Sequence, residues 1–190
     1  MKLYFNPQSR AVVAKWVLDE CGAKYDIVPI DLATGEQKSP EFLRVNPAGK
    51  LPALVDGEAR LFENTAIALY LADRFPEARL APKIGAPERG RYLTLLVYST
   101  SQLEPAMGDA MLGVEPDRIR GWTSFETVKD VVERELGVGP YLFGDWFTAA
   151  DIAIGSAFIW ARAMGHPSRR PAIEAYADRL QQRPHAIRFG

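Results

Sequence analysis

Asn46-Pro47-Ala48-Gly49-Lys50-Leu51-Pro52-Ala53-Leu54-Val55-Asp56-Gly57, with Arg60-Leu61-Phe62-Glu63-Asn64-Thr65-Ala66-Ile67 close behind it, decides how this chain folds. Asn-Pro and Ala-Gly are turn chemistry. Leu51 to Val55 is an apolar run with a proline inside it. Proline donates no hydrogen bond, so the run is an edge, a strand start or a turn entering a strand. An X-Pro amide lowers the cost of the cis form to about 0.5–1 kcal/mol. A cis Leu51–Pro52 bond would turn the Leu51 N–H and C=O outward, where an extended ligand can pair with them as an added strand does. Asp56-Gly57 is a hairpin dipeptide, and Arg60 to Phe62 reads as the returning strand. Glu63-Asn64-Thr65 then opens a helix with Ile67, Tyr70 and Leu71 on one face and Asn64 as its expected N-cap. The free N–H groups of a helix start suit a carboxylate. Glu63 beside them suits an ammonium group, so both charged ends of an amino acid would be satisfied there.

Outward from this stretch, Lys2 to Phe5 is a short strand stopped by Asn6-Pro7. The turn Gln8-Ser9-Arg10 leads into a helix with Val12, Val13, Trp16 and Val17 on its apolar face, ended by Gly22. Tyr25 to Ile30 is a second strand, and Pro29 puts it at an edge. After the loop Thr34 to Lys38, Ser39 caps a short helix with Pro40 at its first position. The order β-α-β-α-β-β-α describes a small mixed sheet with helices packed on it.

Pro76, Pro82, Gly85 and Pro87 mark a linker, giving domains at 1–76 and 88–190 with 77–87 between them. Everything beyond reads as helical. Glu88 to about Met111 is one helix, kinked or interrupted at Pro105, and Arg118 to Leu136 is an amphipathic helix closed by Gly137. Thr148-Ala-Ala-Asp151 is a capping box before an apolar helix that runs to Met164 and belongs in the middle of this domain. Pro171 to Leu180 is the closing helix.

Composition narrows the functional classes. An apolar content of 47% with four Trp and nine Phe supports a real core. Twenty-three basic against 24 acidic residues leave a net charge of −1, which gives no electrostatic case for nucleic acid or an acidic membrane surface. A single cysteine excludes an internal disulfide and fits a reducing, cytoplasmic compartment. Met1 to Pro7 does not read as a signal peptide, and no stretch reaches the roughly 20 apolar residues of a membrane span. Two isolated histidines and one cysteine offer no metal site.

Asn46-Pro47, Lys50 to Leu54 and Phe62 to Ile67 together resemble the glutathione-site segment of the cytosolic glutathione transferases. Phe147 to Ile154 resembles the start of the central C-terminal helix of the same family. The resemblance implies an α/β thioredoxin-like N-terminal domain, an all-α C-terminal helical domain, and a homodimer with detoxifying activity. It implies glutathione as cosubstrate and a small apolar electrophile held against the helical domain. The loop of Lys50, Leu51 and Pro52 would hold the cysteinyl part, and Glu63 with Asn64 the γ-glutamyl end. Asn64 stands where the family most often has Ser or Thr. Gln37 matches the residue that binds the glycyl carboxylate in several classes, and Lys50 can help neutralise that end.

Glutathione chemistry needs a thiolate. A free thiol has a pKa of about 8.5, so a donor aimed at the sulfur must favour the charged form. Ser9 matches the catalytic serine of the bacterial-type, serine-type members, and Arg10 beside it is a second candidate. Ser9 can equally serve only to start the first helix. Cys21 reads as a small apolar filler. Two other functions fit the same fold: a non-catalytic glutathione-binding or interaction protein, and a specialised glutathione-dependent isomerase, dehalogenase or ether-cleaving enzyme.

Overall fold

The computed structural model describes residues 1–188, and its contacts separate a first unit, Met1–Arg79, from a second that begins at Leu80. The first unit is built on strands β1 (Lys2–Phe5), β2 (Asp26–Pro29), β3 (Ala53–Asp56) and β4 (Ala59–Phe62), in the sheet order β2-β1-β3-β4. β1 pairs in parallel with β2, from Lys2 with Asp26 to Phe5 with Pro29. β3 pairs antiparallel with β1 and with β4, and the β3–β4 hairpin turns at Gly57, which takes a φ of +58°. Pro29 lies in the outermost strand, where a missing N–H breaks no second ladder.

Side chains alternate across the sheet. Tyr4 and Ala53, paired in register, join Ile30 and Phe42 in a core on one face, where the Tyr4 and Phe42 rings meet edge-on at 5.6 Å. Leu3 and Leu54, also paired and fully buried, point the other way. Helix α1 (Ala11–Glu20) buries Val13, Trp16, Val17 and Leu18, and helix α3 (Asn64–Arg74) buries Ile67 and Leu71, with the two helices packed against each other. The short helix α2 (Pro40–Leu43) is capped as its sequence predicts, with the Ser39 hydroxyl accepting the Phe42 N–H.

The second unit is helical. Helix α4 (Glu88–Tyr98) passes through a π turn at Ser99–Leu103 into helix α5 (Glu104–Met111). The cause is Pro105, whose ring leaves no N–H for, and no room beside, the carbonyl four residues back. Helix α6 (Phe125–Leu136) corrects the expected span from Arg118: residues 118–124 are not helical. Arg120 and the Trp122 indole both donate to Asp109, at 2.9 and 2.8 Å, and hold this segment as a loop. Ser124, in extended backbone, then accepts the Thr127 N–H and starts the helix one residue later.

Helix α7 (Ala149–Ala163) is buried along almost its whole length, and helix α8 (Pro171–Gln181) packs on it. They meet at Gly155, where a Cβ would strike the Leu180 side chain at 2.0 Å. The capping box forms at the start of α7, with the Asp151 carboxylate accepting the Thr148 N–H at 2.8 Å. Asp151 is fully buried and accepts three further hydrogen bonds, from the Thr148 hydroxyl, the Leu142 N–H and the Tyr176 hydroxyl. Burial pushes its carboxyl pKa up, against the pull of these donors. Arg162, the lone charge past the first turn of α7, pairs with Asp178 at 2.7 Å and Glu174 at 3.3 Å on α8. No helix among the described residues is long and apolar enough to cross a membrane.

Candidate functional site

The sheet registers gather the candidate residues at one end of the first unit. Tyr4 lies opposite Ala53, so the end of β1, which leads into Ser9 and Arg10, lies beside the start of β3, which follows Leu51 and Pro52. Ala53 lies opposite Phe62, so Glu63 and Asn64 leave β4 at that same end. Phe5 lies opposite Pro29, and β2 exits there toward the loop that carries Gln37. All eight candidates, Ser9, Arg10, Gln37, Lys50, Leu51, Pro52, Glu63 and Asn64, therefore belong to segments that emerge from one end of the sheet.

Two asparagines shape the loops, and they do so in the same way. Asn46, 2% exposed, accepts the Ala48 N–H on its Oδ1 at 3.0 Å, and its Nδ2 donates to the Lys50 carbonyl at 2.7 Å. Its own carbonyl accepts the Gly49 N–H. Asn6 accepts the Gln8 N–H on its Oδ1 at 2.9 Å, its Nδ2 donates to the Ile30 carbonyl at 2.8 Å, and its carbonyl accepts the Ser9 N–H. In each case proline follows the asparagine and fixes the next φ, while the side chain closes the turn. Neither asparagine stands out by residue type. The repeated Asn-Pro dipeptide at 6–7 and 46–47 was the signal that could have found them.

The Leu51–Pro52 bond is cis. The Leu51 N–H and C=O make no hydrogen bond to any described residue. Lys50 is exposed, and Gln37 lies in a 3-10 turn, Glu36–Lys38, that adjoins the Lys50 loop. Lys38 ties the two together, its Nζ donating to the Ala48 carbonyl at 3.1 Å. Gly49, at a φ of +60°, permits this approach, since a Cβ there would meet the Lys38 Cδ at 2.8 Å and the Gln37 carbonyl at 2.9 Å.

Glu63 is the N-cap position of α3, with φ +71° and ψ +122°. For a residue with a Cβ this is strained backbone, of a kind that clusters at functional sites. It turns the chain from β4 into α3 within one residue, and the Glu63 carbonyl already accepts the Ile67 N–H at 3.0 Å. The helix consequently begins at Asn64, which is not the cap expected from the sequence but the first helical residue. The Glu63 carboxylate is exposed. Asn64 Oδ1 and Gln37 Oε1 are buried with no hydrogen-bond partner among the described residues. Buried polar atoms in folded proteins are nearly always paired, so two orphans at one end of a sheet mark places for a ligand's donors.

The Ser9 hydroxyl donates to the Asn6 carbonyl at 2.7 Å and accepts the Ala11 N–H at 3.1 Å. Its single proton is committed to Asn6, and a thiolate would have to compete for it. Arg10 is half-buried and immediately precedes α1. Cys21 is buried, its sulfur 3.9 Å from the Leu71 carbonyl. Burial, then Glu77 and Glu20, push its thiol up to about 12, so it is inert as a nucleophile. Among the described residues no three His, Cys, Asp or Glu side chains are grouped to hold a metal ion.

Comparison with known proteins bears on the fold and the family. Residues 1–73 match the family model described as glutathione S-transferase, N-terminal domain, and residues 115–179 match glutathione S-transferase, C-terminal domain. Glutathione S-transferase 3 of Zea mays is 33% identical, over 97% of this chain and 90% of its own length. The disulfide-bond oxidoreductase YfcG of Escherichia coli (strain K12) is 30% identical, over 96% of this chain and 90% of its own. The solved structure of a sphingomonad glutathione S-transferase complexed with glutathione is 31% identical, covers 97% of this chain and 94% of that one, and superposes with a TM-score of 0.78. The fold, the two matched domains and similarity over nearly the full length lead to one conclusion: the chain belongs to the glutathione S-transferase family.

Proposed function

We propose that this protein is a glutathione transferase that joins the thiolate of glutathione to a small apolar electrophile. The observation that carries this reading is the convergence at one sheet end of unpaired Leu51 backbone groups, orphaned acceptors on Gln37 and Asn64, and a strained, exposed Glu63. Leu51 offers its N–H and C=O to the cysteinyl backbone, as an added strand would. Glu63 faces the γ-glutamyl ammonium, and the first N–H groups of α3 face the neighbouring carboxylate. Gln37 and Lys50 take the glycyl end. Ser9, once its hydroxyl turns from the Asn6 carbonyl, favours the thiolate by donating toward the sulfur, with Arg10 as the second candidate. The thiolate then attacks the electrophilic carbon, the C–S bond forms, the leaving group departs with its electron pair, and the thiol proton goes to solvent.

The setting is cytoplasmic and the role detoxifying, and the active form is a homodimer. Leu93 and Val97 of α4, 38% and 61% exposed, support a second copy as the partner.

Titration with glutathione by calorimetry, while thiolate absorbance is followed against pH, tests the reading. Saturable binding with a depressed thiol pKa is expected, and a glutathione adduct of an aryl chloride, rather than a reduced disulfide, is the expected product. Ser9→Ala should leave binding nearly intact and cut turnover about tenfold for each pKa unit of thiol stabilisation that Ser9 supplies. Unchanged turnover would transfer the role to Arg10. Binding with an ordinary thiol pKa and no adduct would refute the enzyme.

A further inference from the structure

The two Asn-Pro turns are closed by the same bonds but differ in one side chain. In Asn6-Pro7-Gln8-Ser9 and in Asn46-Pro47-Ala48-Gly49, the asparagine Oδ1 accepts the N–H two residues on, and the asparagine carbonyl accepts the N–H three residues on. The Nδ2 donates to a backbone carbonyl outside the turn, that of Ile30 in the first and of Lys50 in the second. The fourth place is Ser9 in the first turn and Gly49 in the second. The second turn closes without a hydroxyl. The hydroxyl of Ser9 is therefore surplus to the closure of its own turn.

A serine hydroxyl has one proton to donate and two lone pairs. In Ser9 the proton lies on the Asn6 carbonyl at 2.7 Å, and one lone pair takes the Ala11 N–H at 3.1 Å. No other described residue donates to Ser9 Oγ, so its second lone pair is open. Turning the O–H about the Cβ–Oγ bond moves the proton and leaves the oxygen in place. The Asn6 carbonyl loses little by this, because it keeps the Ser9 N–H at 3.1 Å. Asn6 is itself held from two sides, by the Gln8 N–H at 2.9 Å and by the Ile30 carbonyl at 2.8 Å. Both Asn6 and Ser9 are half-buried, so the oxygen is held firmly while the proton can still be drawn to a ligand.

We propose that Asn6 is a positioning residue for thiolate formation: its side chain fixes Ser9 Oγ, and its carbonyl is the resting acceptor from which the Ser9 proton turns to the sulfur. The proposal rests on the glutathione transferase reading, with Ser9 as the donor. While the thiol is neutral, its S–H donates to the open lone pair of Ser9, and the Ser9 proton stays on Asn6. On ionisation the S–H bond breaks, the proton goes to solvent and the electron pair stays on sulfur. The Ser9 O–H then turns to the thiolate, and Ser9 neither gains nor loses a proton. A neutral hydrogen bond is exchanged for a charge-assisted one, the stronger of the two, so the exchange favours the thiolate. Without the Asn6 side chain the turn loosens, and Ser9 Oγ is no longer held where this exchange occurs.

A double-mutant cycle on Asn6→Ala and Ser9→Ala tests this, read by the thiolate absorbance of bound glutathione against pH and by turnover of an aryl chloride. Ser9→Ala alone should raise the pKa of the bound thiol by about one unit or more. Asn6→Ala alone should raise it by about 0.5–1 unit and lower kcat about three- to tenfold at a pH below both pKa values, with KM for glutathione within about twofold of the parent. In the Ser9→Ala background, Asn6→Ala should move the pKa by no more than about 0.2 units. Asn6→Ser can still accept the Gln8 N–H and close the turn, so it folds even where Asn6→Ala does not, and its thiol pKa should lie between those of the parent and Asn6→Ala. A thiol pKa unmoved in the Asn6 variants would overturn the positioning role and leave Ser9 as the donor. An equal rise in the Ser9→Ala background would also overturn it, because the effect would then bypass Ser9. An unmoved pKa in Ser9→Ala would overturn Ser9 as the donor and the proposal with it. An ordinary thiol pKa in the parent would remove the transferase reading itself.

Discussion

Glu63→Gly and Glu63→Gln separate the backbone strain at Glu63 from its charge. The residue holds φ +71° and ψ +122°, and such a conformation costs about 1–3 kcal/mol when a Cβ is present. Glycine removes that penalty but loses about 0.5–1 kcal/mol more backbone entropy on folding. The Glu63 side chain has no partner among the described residues, so truncation sacrifices no protein contact, and the carbonyl keeps its bond from the Ile67 N–H. Glu63→Gly should therefore be more stable than the parent by up to about 2 kcal/mol, a rise in Tm of up to about 8 °C for a chain of this size. Glu63→Gln retains the strain and should melt within about 1 °C of the parent. Both variants lose the charge proposed to face the γ-glutamyl ammonium, an interaction of about 1.5–3 kcal/mol, so both should bind glutathione about tenfold or more weakly. Scanning calorimetry without glutathione, followed by glutathione titration, reads both effects. A Glu63→Gly protein less stable than the parent would refute the strain argument. Wild-type glutathione affinity in either variant would refute the placement of the γ-glutamyl end.

Three further expectations rest on buried groups. Asn46→Ala removes two side-chain hydrogen bonds that close the Lys50 loop and should cost about 2–4 kcal/mol in urea unfolding, with weaker glutathione binding; an unaltered midpoint would show that the loop holds itself. Asp151→Ala strands four donors around the start of α7 and should cost about 3–5 kcal/mol, checked by the same unfolding experiment. Cys21 should resist a thiol-specific disulfide reagent at pH 8 until the protein unfolds. Its folded pKa, about 12, lies above the unfolded value, so the unfolded chain releases the proton first as pH rises. Stability is then undiminished below about pH 9 and falls by about 1.4 kcal/mol per unit above it. Cys21→Ala should flatten that decline, and an equal slope in both proteins would contradict it.

Much of this was legible in the chain because the signals are local. A short aromatic run stopped by Asn6-Pro7 marks β1, an apolar run closed by Asp56-Gly57 marks β3, Pro29 marks an edge, Ser39-Pro40 marks a helix start, and Thr148 with Asp151 marks the capping box. The failures occur where a distant group overrides a local preference. Residues 118–124 carry helical spacing, but Asp109 draws Arg120 and Trp122 away from a helix. Asn64 is a good cap by type, yet the turn out of β4 is made by Glu63 in a conformation that composition alone does not announce. Lys38 lay outside the expected site because its role depends on Gly49, a neighbour only in the folded chain. Ser9 stands just before α1, as the chain order places it, but the commitment of its hydroxyl to the Asn6 carbonyl is a matter of three dimensions.

The paired Asn-Pro turns bear on the thermodynamics of ligand capture. Ordering the backbone of one residue costs about 1–2 kcal/mol in conformational entropy, so a loose segment at 46–50 or 6–10 would subtract several kcal/mol from any affinity. Because Asn6 and Asn46 close these turns with their own side chains, that ordering is complete before a ligand arrives. Binding to such rigid brackets is governed by the contacts made and the water displaced, with little loop entropy left to lose.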